Sequence, residues 1–191
     1  MSRRRKIWLI VLVVIILLVV IPYSMFKGTY NNLVSLDENT KRSWADVETQ
    51  LQRRYDLVPN LVQTVKGFAS QEREVLIQVT EARASVGRAQ TVPQQIDANN
   101  QLSSALSRLL VVVERYPDLK SNQNFIRLQD ELAGTENRIA VSRRRYNEAL
   151  QGYNGKVRSF PTLILARMLN FLEKPYFEAP EAAQEAPKVE F

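Results

Sequence analysis

The residues of this chain richest in chemistry lie in two short polar stretches. One is Arg53-Arg54-Tyr55-Asp56 followed by Pro59-Asn60; the other is Thr135-Glu136-Asn137-Arg138, leading through Arg143-Arg144-Arg145 to Tyr146-Asn147. Each sets acid, base and amide groups beside an apolar stripe, a mixture that suits a binding surface, a proton-handling site or a hydrogen-bonded polar layer inside a helical bundle. The residue types favour the layer, with the remaining polar groups forming solvated faces. Three successive arginines on a helix fan over about 200°, so at most two reach one ligand. Glu131 and Glu136 are five apart and lie on different faces, which does not suit a paired-carboxylate acid/base site supplied by one helix. A pair shared between helices stays open. The dipeptide Tyr-Asn occurs at Tyr30-Asn31, Tyr146-Asn147 and Tyr153-Asn154. The last two are one heptad apart, so Tyr146 and Tyr153 share a seam where rings pack and hydroxyls seek partners.

Much chemistry is excluded by composition. The chain has no His and no Cys, which removes imidazole and thiolate nucleophiles, their metal sites and any disulfide. A di-metal carboxylate bundle needs Glu-x-x-His on two helices, so neither a metal nor a cofactor is expected. Gly67, Gly87, Gly134, Gly152 and Gly155 stand isolated and form no phosphate loop. The aromatic residues fall mainly on apolar stripes rather than between basic ones, so nucleic acid is not an expected partner. These absences point away from an enzyme. The net charge of +6 is uneven, with Arg3, Arg4, Arg5 and Lys6 at the start and acidic residues after Pro175.

Positioning begins with an anchor. After the basic flank, residues 1–6, every residue from Ile7 to Ile21 is apolar. Extended to Phe26, the segment reaches about 20 residues, enough to span a hydrocarbon core of about 30 Å. A cleaved secretory signal would need small residues at paired positions, and no Ala precedes Ala45. An uncleaved transmembrane helix over residues 7–26 is therefore expected, with the lipid bilayer as its partner. Trp8 and Tyr23 with Phe26 suit the two interfacial belts. Four basic residues before Ile7 outweigh Lys27, Lys41 and Arg42 after it, which puts the N-terminus in the cytoplasm and the rest in the periplasm or its equivalent.

From residue 30 to residue 160, apolar residues recur at helical spacing. Pro59 interrupts the first stripe, and a helix-interior proline costs about 3 kcal/mol, so a break or kink is expected between Asp56 and Gly67. Thr91 and Pro93 open the next helix, Tyr116-Pro117 closes it, and Asn122 caps the last. That last helix is the most regular, with Phe125, Leu132, Ile139, Tyr146, Tyr153, Val157 and Phe160 on a heptad seam. A break near Pro59 gives helices of roughly 33, 45, 36 and 54 Å, commensurate with an all-α, up-and-down four-helix bundle of long helices; a kinked three-helix arrangement is the alternative. Residues 161–178 form either an interfacial membrane-proximal segment or a short helix packed on the bundle base. Residues 179–191 read as a disordered acidic tail.

At these residues the chain resembles the LemA family of bacterial and archaeal membrane proteins. The matching pieces are Tyr30-Asn31-Asn32-Leu33-Val34, the run from Leu51 through Pro59-Asn60-Leu61-Val62 to Gly67-Phe68-Ala69, Thr135 to Ala140, the later Tyr-Asn pairs, Phe160-Pro161 and Pro175-Tyr176-Phe177-Glu178-Ala179. Tyr55 departs from a smaller residue in the family, and Gln71-Glu72 replaces a common histidine-acid pair. The resemblance implies a short N-terminal anchor, an up-and-down bundle and an envelope association, with one branch of the family forming magnetosome membranes. It carries over no catalytic residue. The function expected is a non-enzymatic scaffold of the inner membrane that self-assembles or binds an envelope protein. The alternative is an accessory or sensor subunit docking an envelope enzyme such as a membrane protease.

Overall fold

The computed structural model describes residues 3–177, with side chains at Trp8 and from Leu12 onward. The acidic tail expected at residues 179–191 lies outside them, as do the side chains of the basic flank. Among the described residues the elements are all helices: α1 (Arg3–Phe68), α2 (Arg73–Arg88), α3 (Val92–Val113), α4 (Pro117–Lys120), α5 (Gln123–Arg158) and α6 (Thr162–Met168). The protein is all-α, as its apolar spacing implies.

The break between the first two bundle helices does not fall at Pro59. α1 passes through Pro59 without a break and ends at Phe68, so the break falls at residues 69–72. A proline lacks the N–H that would bond the carbonyl four residues earlier, here that of Tyr55. α2 supplies the missing donor: Arg83 Nε donates to the Tyr55 carbonyl at 3.1 Å. The same guanidinium lies 3.9 Å from the centre of the Tyr55 ring, a cation–π contact. Gly87, one turn further along α2, leaves room for this ring, because a Cβ there would lie 3.2 Å from the Tyr55 hydroxyl. The helix therefore stops where its backbone turns, with the Glu72 amide donating to the Ala69 carbonyl at 3.1 Å. The count of four long bundle helices survives, with a shorter second member, α2, of 16 residues.

The other punctuation is as the residues predict. Thr91 and Gln94 form a reciprocal capping box at the start of α3, with Pro93 in its first turn. Tyr116-Pro117 separates α3 from α4. The Asn122 side-chain oxygen accepts from the amides of Asn124 and Phe125 at 3.0 and 3.1 Å and caps α5. α6 ends in a Schellman turn: Asn170 takes φ 59°, the Phe171 amide donates to the Ala166 carbonyl at 2.9 Å, and the Asn170 amide donates to that of Arg167.

The chain forms two compact units. One holds Ser43–Asn147 and the chain from Pro175. Its core draws Val58, Leu61 and Val65 from α1, Val79 from α2, Leu102 and Leu109 from α3 and Phe125 from α5. Each fully buried Leu or Phe contributes about 2 kcal/mol against the exposed chain. The other unit holds the chain to Arg42 with Glu148–Lys174. There Leu33, Tyr153, Val157 and Ala166 are buried together, with Leu36 and Phe171 packed on them. The expected seam of α5 ends at Val157, and Phe160 is exposed. Within α1 the apolar window beginning at Leu12 is unburied throughout, and it is long and apolar enough to be a candidate membrane span.

Candidate functional site

In the unit holding Ser43–Asn147, the polar stretches converge on one buried arginine. The Arg54 side chain is 3% exposed. Its Nη1 donates to Glu136 Oε2 and to Ser103 Oγ, both at 2.8 Å. Its Nη2 donates to Asn99 Oδ1 at 2.7 Å and to the Asn99 carbonyl at 3.1 Å. One guanidinium thus ties α1, α3 and α5 together. Burial pushes its pKa down, and the Glu136 carboxylate pulls it back up through charge and hydrogen bond. A charge held this way fixes the helix register more than it adds net stability. Arg54 Nε is buried without a hydrogen-bond partner.

The neighbours of this layer face outward. Arg53 reaches 4.0 Å from Glu131, both partly exposed. Asp56 accepts from Gln52 at 2.9 Å on the surface. Pro59, Asn60 and Asn137 are exposed. Arg138 spans to Gln50 of α1 at 3.2 Å and to Thr135 Oγ1 at 3.3 Å. Of the three arginines, Arg144 and Arg145 are exposed, whereas the Arg143 cation lies 4.0 Å from the centre of the Phe177 ring. Burial lowers the Arg143 pKa, with Glu136 opposing the shift.

The Tyr-Asn dipeptides do something that their spacing alone does not reveal. Asn147 grips the backbone of Phe177 with both ends of its amide, donating to the carbonyl and accepting from the N–H at 2.9 Å each. Tyr146 is buried beside it with its ring 5.1 Å from Trp44, and burial raises its pKa. In the unit holding the start of α1, Asn154 makes the same two-handed grip on Lys174, at 2.9 and 3.0 Å. Tyr153 donates to the Leu172 carbonyl at 3.0 Å. Lys174 in turn reaches Asp37 and, at 2.9 Å, Thr40 on α1. The two dipeptides of α5 are backbone clamps on the chain segment after α6.

Residues missed by spacing arguments complete these networks: Asn99 and Ser103 around Arg54, and Asp37, Thr40 and Lys174 beside Asn154. A signal for Asn99 was present, because it occupies a stripe position between Ile96 and Leu102, three residues from each. An amide at a buried stripe position implies a polar partner on another helix. Among the described residues, no three carboxylates gather as a metal-binding group. The site can hold helices and a return segment in register, and its exposed rim can offer polar contacts.

Residues 43–191 match the model of the LemA family. The magnetosome protein MamQ 2 of Paramagnetospirillum magneticum is 26% identical, and the match covers 80% of this chain and 66% of that protein. The chain thus spans slightly less than two thirds of that relative. The protein LemA of Metamycoplasma hominis is 24% identical, with 83% of this chain and 73% of the relative covered. The magnetosome protein MamQ of Magnetospirillum gryphiswaldense is also 24% identical, over 80% of this chain and 66% of its own length.

Proposed function

Because the chain belongs to the LemA family, we propose that it is a non-enzymatic, membrane-anchored helical scaffold of the cell envelope, assembling with itself or binding partner proteins. The observation that carries this reading is the inward use of its chemistry. The buried polar groups around Arg54 and Asn154 bond to helices and backbone of the same chain, and the cavity that Arg54, Ser103 and Glu136 help to line is otherwise walled mainly by Leu61, Leu106, Leu110 and Leu132. The apolar side chains of residues 12–21, by contrast, are exposed on every side. Relatives named as magnetosome proteins support a membrane-organising role. Size-exclusion chromatography with light scattering in detergent, paired with electron microscopy of vesicles carrying the protein, tests the reading. Oligomers, captured partners or altered vesicle shape are expected. A strict monomer that binds nothing and leaves vesicles unchanged would sink it.

The basic excess before Ile7 supports a cytoplasmic N-terminus and an extracytoplasmic bundle in the inner membrane. Activity of a C-terminal periplasmic reporter, with a silent cytoplasmic one, is the expected result.

A second reading is an accessory subunit that docks an envelope enzyme such as a membrane protease. It is favoured by the exposure of Arg53, Asn60 and Asn137 around the Arg54 layer. Arg53→Ala with Asn137→Ala should release a co-purifying partner without lowering the melting temperature if docking is the function.

A further inference from the structure

Outside the anchor, exposed large apolar side chains are scattered singly except where α5 gives way to α6. There Phe160, Ile164, Met168 and Leu172 are 82, 54, 74 and 64% exposed; Ile164 and Met168 sit on α6, Phe160 in the turn before it and Leu172 beyond the turn at Asn170 that ends it. On α6, Ile164 and Met168 lie opposite Thr162 and Ala166, which are buried. The helix is thus packed on one face and bare on the other. This bare ridge, one helix face flanked by two further exposed apolar side chains, marks a contact site.

Its height above the anchor follows from contacts within its own unit. The Phe171 ring meets Tyr30 edge-on at 6.3 Å between centres, and Ala166 is buried in the same cluster as Leu33. Tyr30 is about 6 Å, and Leu33 about 10 Å, along the helix axis from Phe26, the end of the apolar segment. α5 runs antiparallel to α1 here: Gly152 faces Leu36, and Val157 joins the Leu33 cluster. The chain is therefore still travelling toward the anchor when it reaches Phe160. The polar layer of a bilayer adds about 5 to 8 Å on each side of the hydrocarbon, and interfacial helices sink their apolar face about 5 to 10 Å into it.

We propose that the ridge of Phe160, Ile164, Met168 and Leu172 docks into the headgroup–acyl boundary of the bilayer that residues 7–26 cross, as a second membrane contact of the same chain. The inference rests on the reading of α1 as a membrane span. Phospholipid is the occupant because the contacts to Tyr30 and Leu33 set α6 about 6 to 10 Å from the end of the spanning segment, at the level of the bilayer's polar layer. Exposed Arg167, beside Met168, has the long stem and fixed charge to reach a lipid phosphate. Two contacts on one bilayer restrict the tilt of α1, which a lone span leaves to its surroundings.

The chain has no cysteine, so full-length single-cysteine variants can be labelled cleanly. F160C, M168C, I16C and R42C would each carry an environment-sensitive fluorophore in phosphatidylcholine–phosphatidylglycerol vesicles with brominated lipids. Bromine near the headgroup is expected to quench labels at 160 and 168, bromine at mid-chain to quench the label at 16, and neither to quench the label at 42, since exposed Arg42 lies about 24 Å along α1 from Phe26. Unquenched, water-exposed labels at 160 and 168 with a quenched label at 16 overturn the second contact and leave the span standing. An unquenched label at 16 overturns both. Labels at 160 and 168 that are shielded from water yet unquenched by either lipid assign the ridge to a second copy and overturn the proposal.

Discussion

Arg54 holds a charge where a charge is costly, and four hydrogen bonds to three residues keep it there. Truncation leaves the Asn99 side-chain oxygen without its donor inside the core, while the Asn99 carbonyl still accepts from Ser103 Oγ at 3.1 Å. Arg54→Ala should therefore lower stability by about 3 kcal/mol, through the unpaired Asn99 oxygen and the volume lost from the core. Glu136 is half exposed, so water replaces much of what it offers, and Glu136→Gln should cost only about 1 kcal/mol. Denaturant titration of both variants in detergent checks the ratio; equal losses would place the weight of the layer on the ion pair instead of on the amide. Asp37 is the other residue with a measurable signature. Partial burial raises its carboxyl, but hydrogen bonds and charge from Lys174 and Lys41 outweigh that and hold it below the ordinary carboxylate range. A carboxyl depressed by folding stabilises the fold above its unfolded value of about 4, and that stability is lost as pH falls through the folded value. Melting temperature should drop below about pH 4, and Asp37→Asn should melt lower at pH 7 while flattening that acid limb.

At the scale of elements, Pro59 shows how a strong local signal is overridden by a neighbour. Arg83 of α2 bonds the carbonyl that the proline orphans. Arg83→Met should cost about 1 kcal/mol in the native background. In the Pro59→Ala background the helix regains its own donor, so the same change should cost less. A double-mutant cycle by thermal unfolding measures this coupling, and strict additivity would refute the repair. The other element boundaries are local devices: a capping box at Thr91, an Asn cap at Asn122 and an Asn-based Schellman turn at Asn170. Each needs only a few adjacent residues, so each is written plainly in the order of the side chains.

For the molecule as a whole, the candidate membrane span, the helical class, the number of bundle helices and the family are legible along the chain. Apolar run length and helical periodicity are properties of neighbours in the chain, and they persist whatever the rest does. The sequence also brought Arg54, Glu136, Asn147 and Asn154 forward as polar groups beside apolar stripes, which is a statement about composition along one helix. Which of them are buried, and with whom, depends on how the helices pack. Arg53 and Arg54 are adjacent and chemically alike, yet one is exposed and the other joins three helices, because the rotation of α1 puts one of them inside. The Tyr-Asn pairs reveal their role only when residues 172–177 fold back on α5 and the amides close on a backbone some 20 to 30 residues away. Phe160, which fits the heptad seam by spacing, is bare because α5 has already ended at Arg158. Periodicity tells which face of a helix is apolar; whether a partner arrives to cover it depends on the path of the chain beyond that helix.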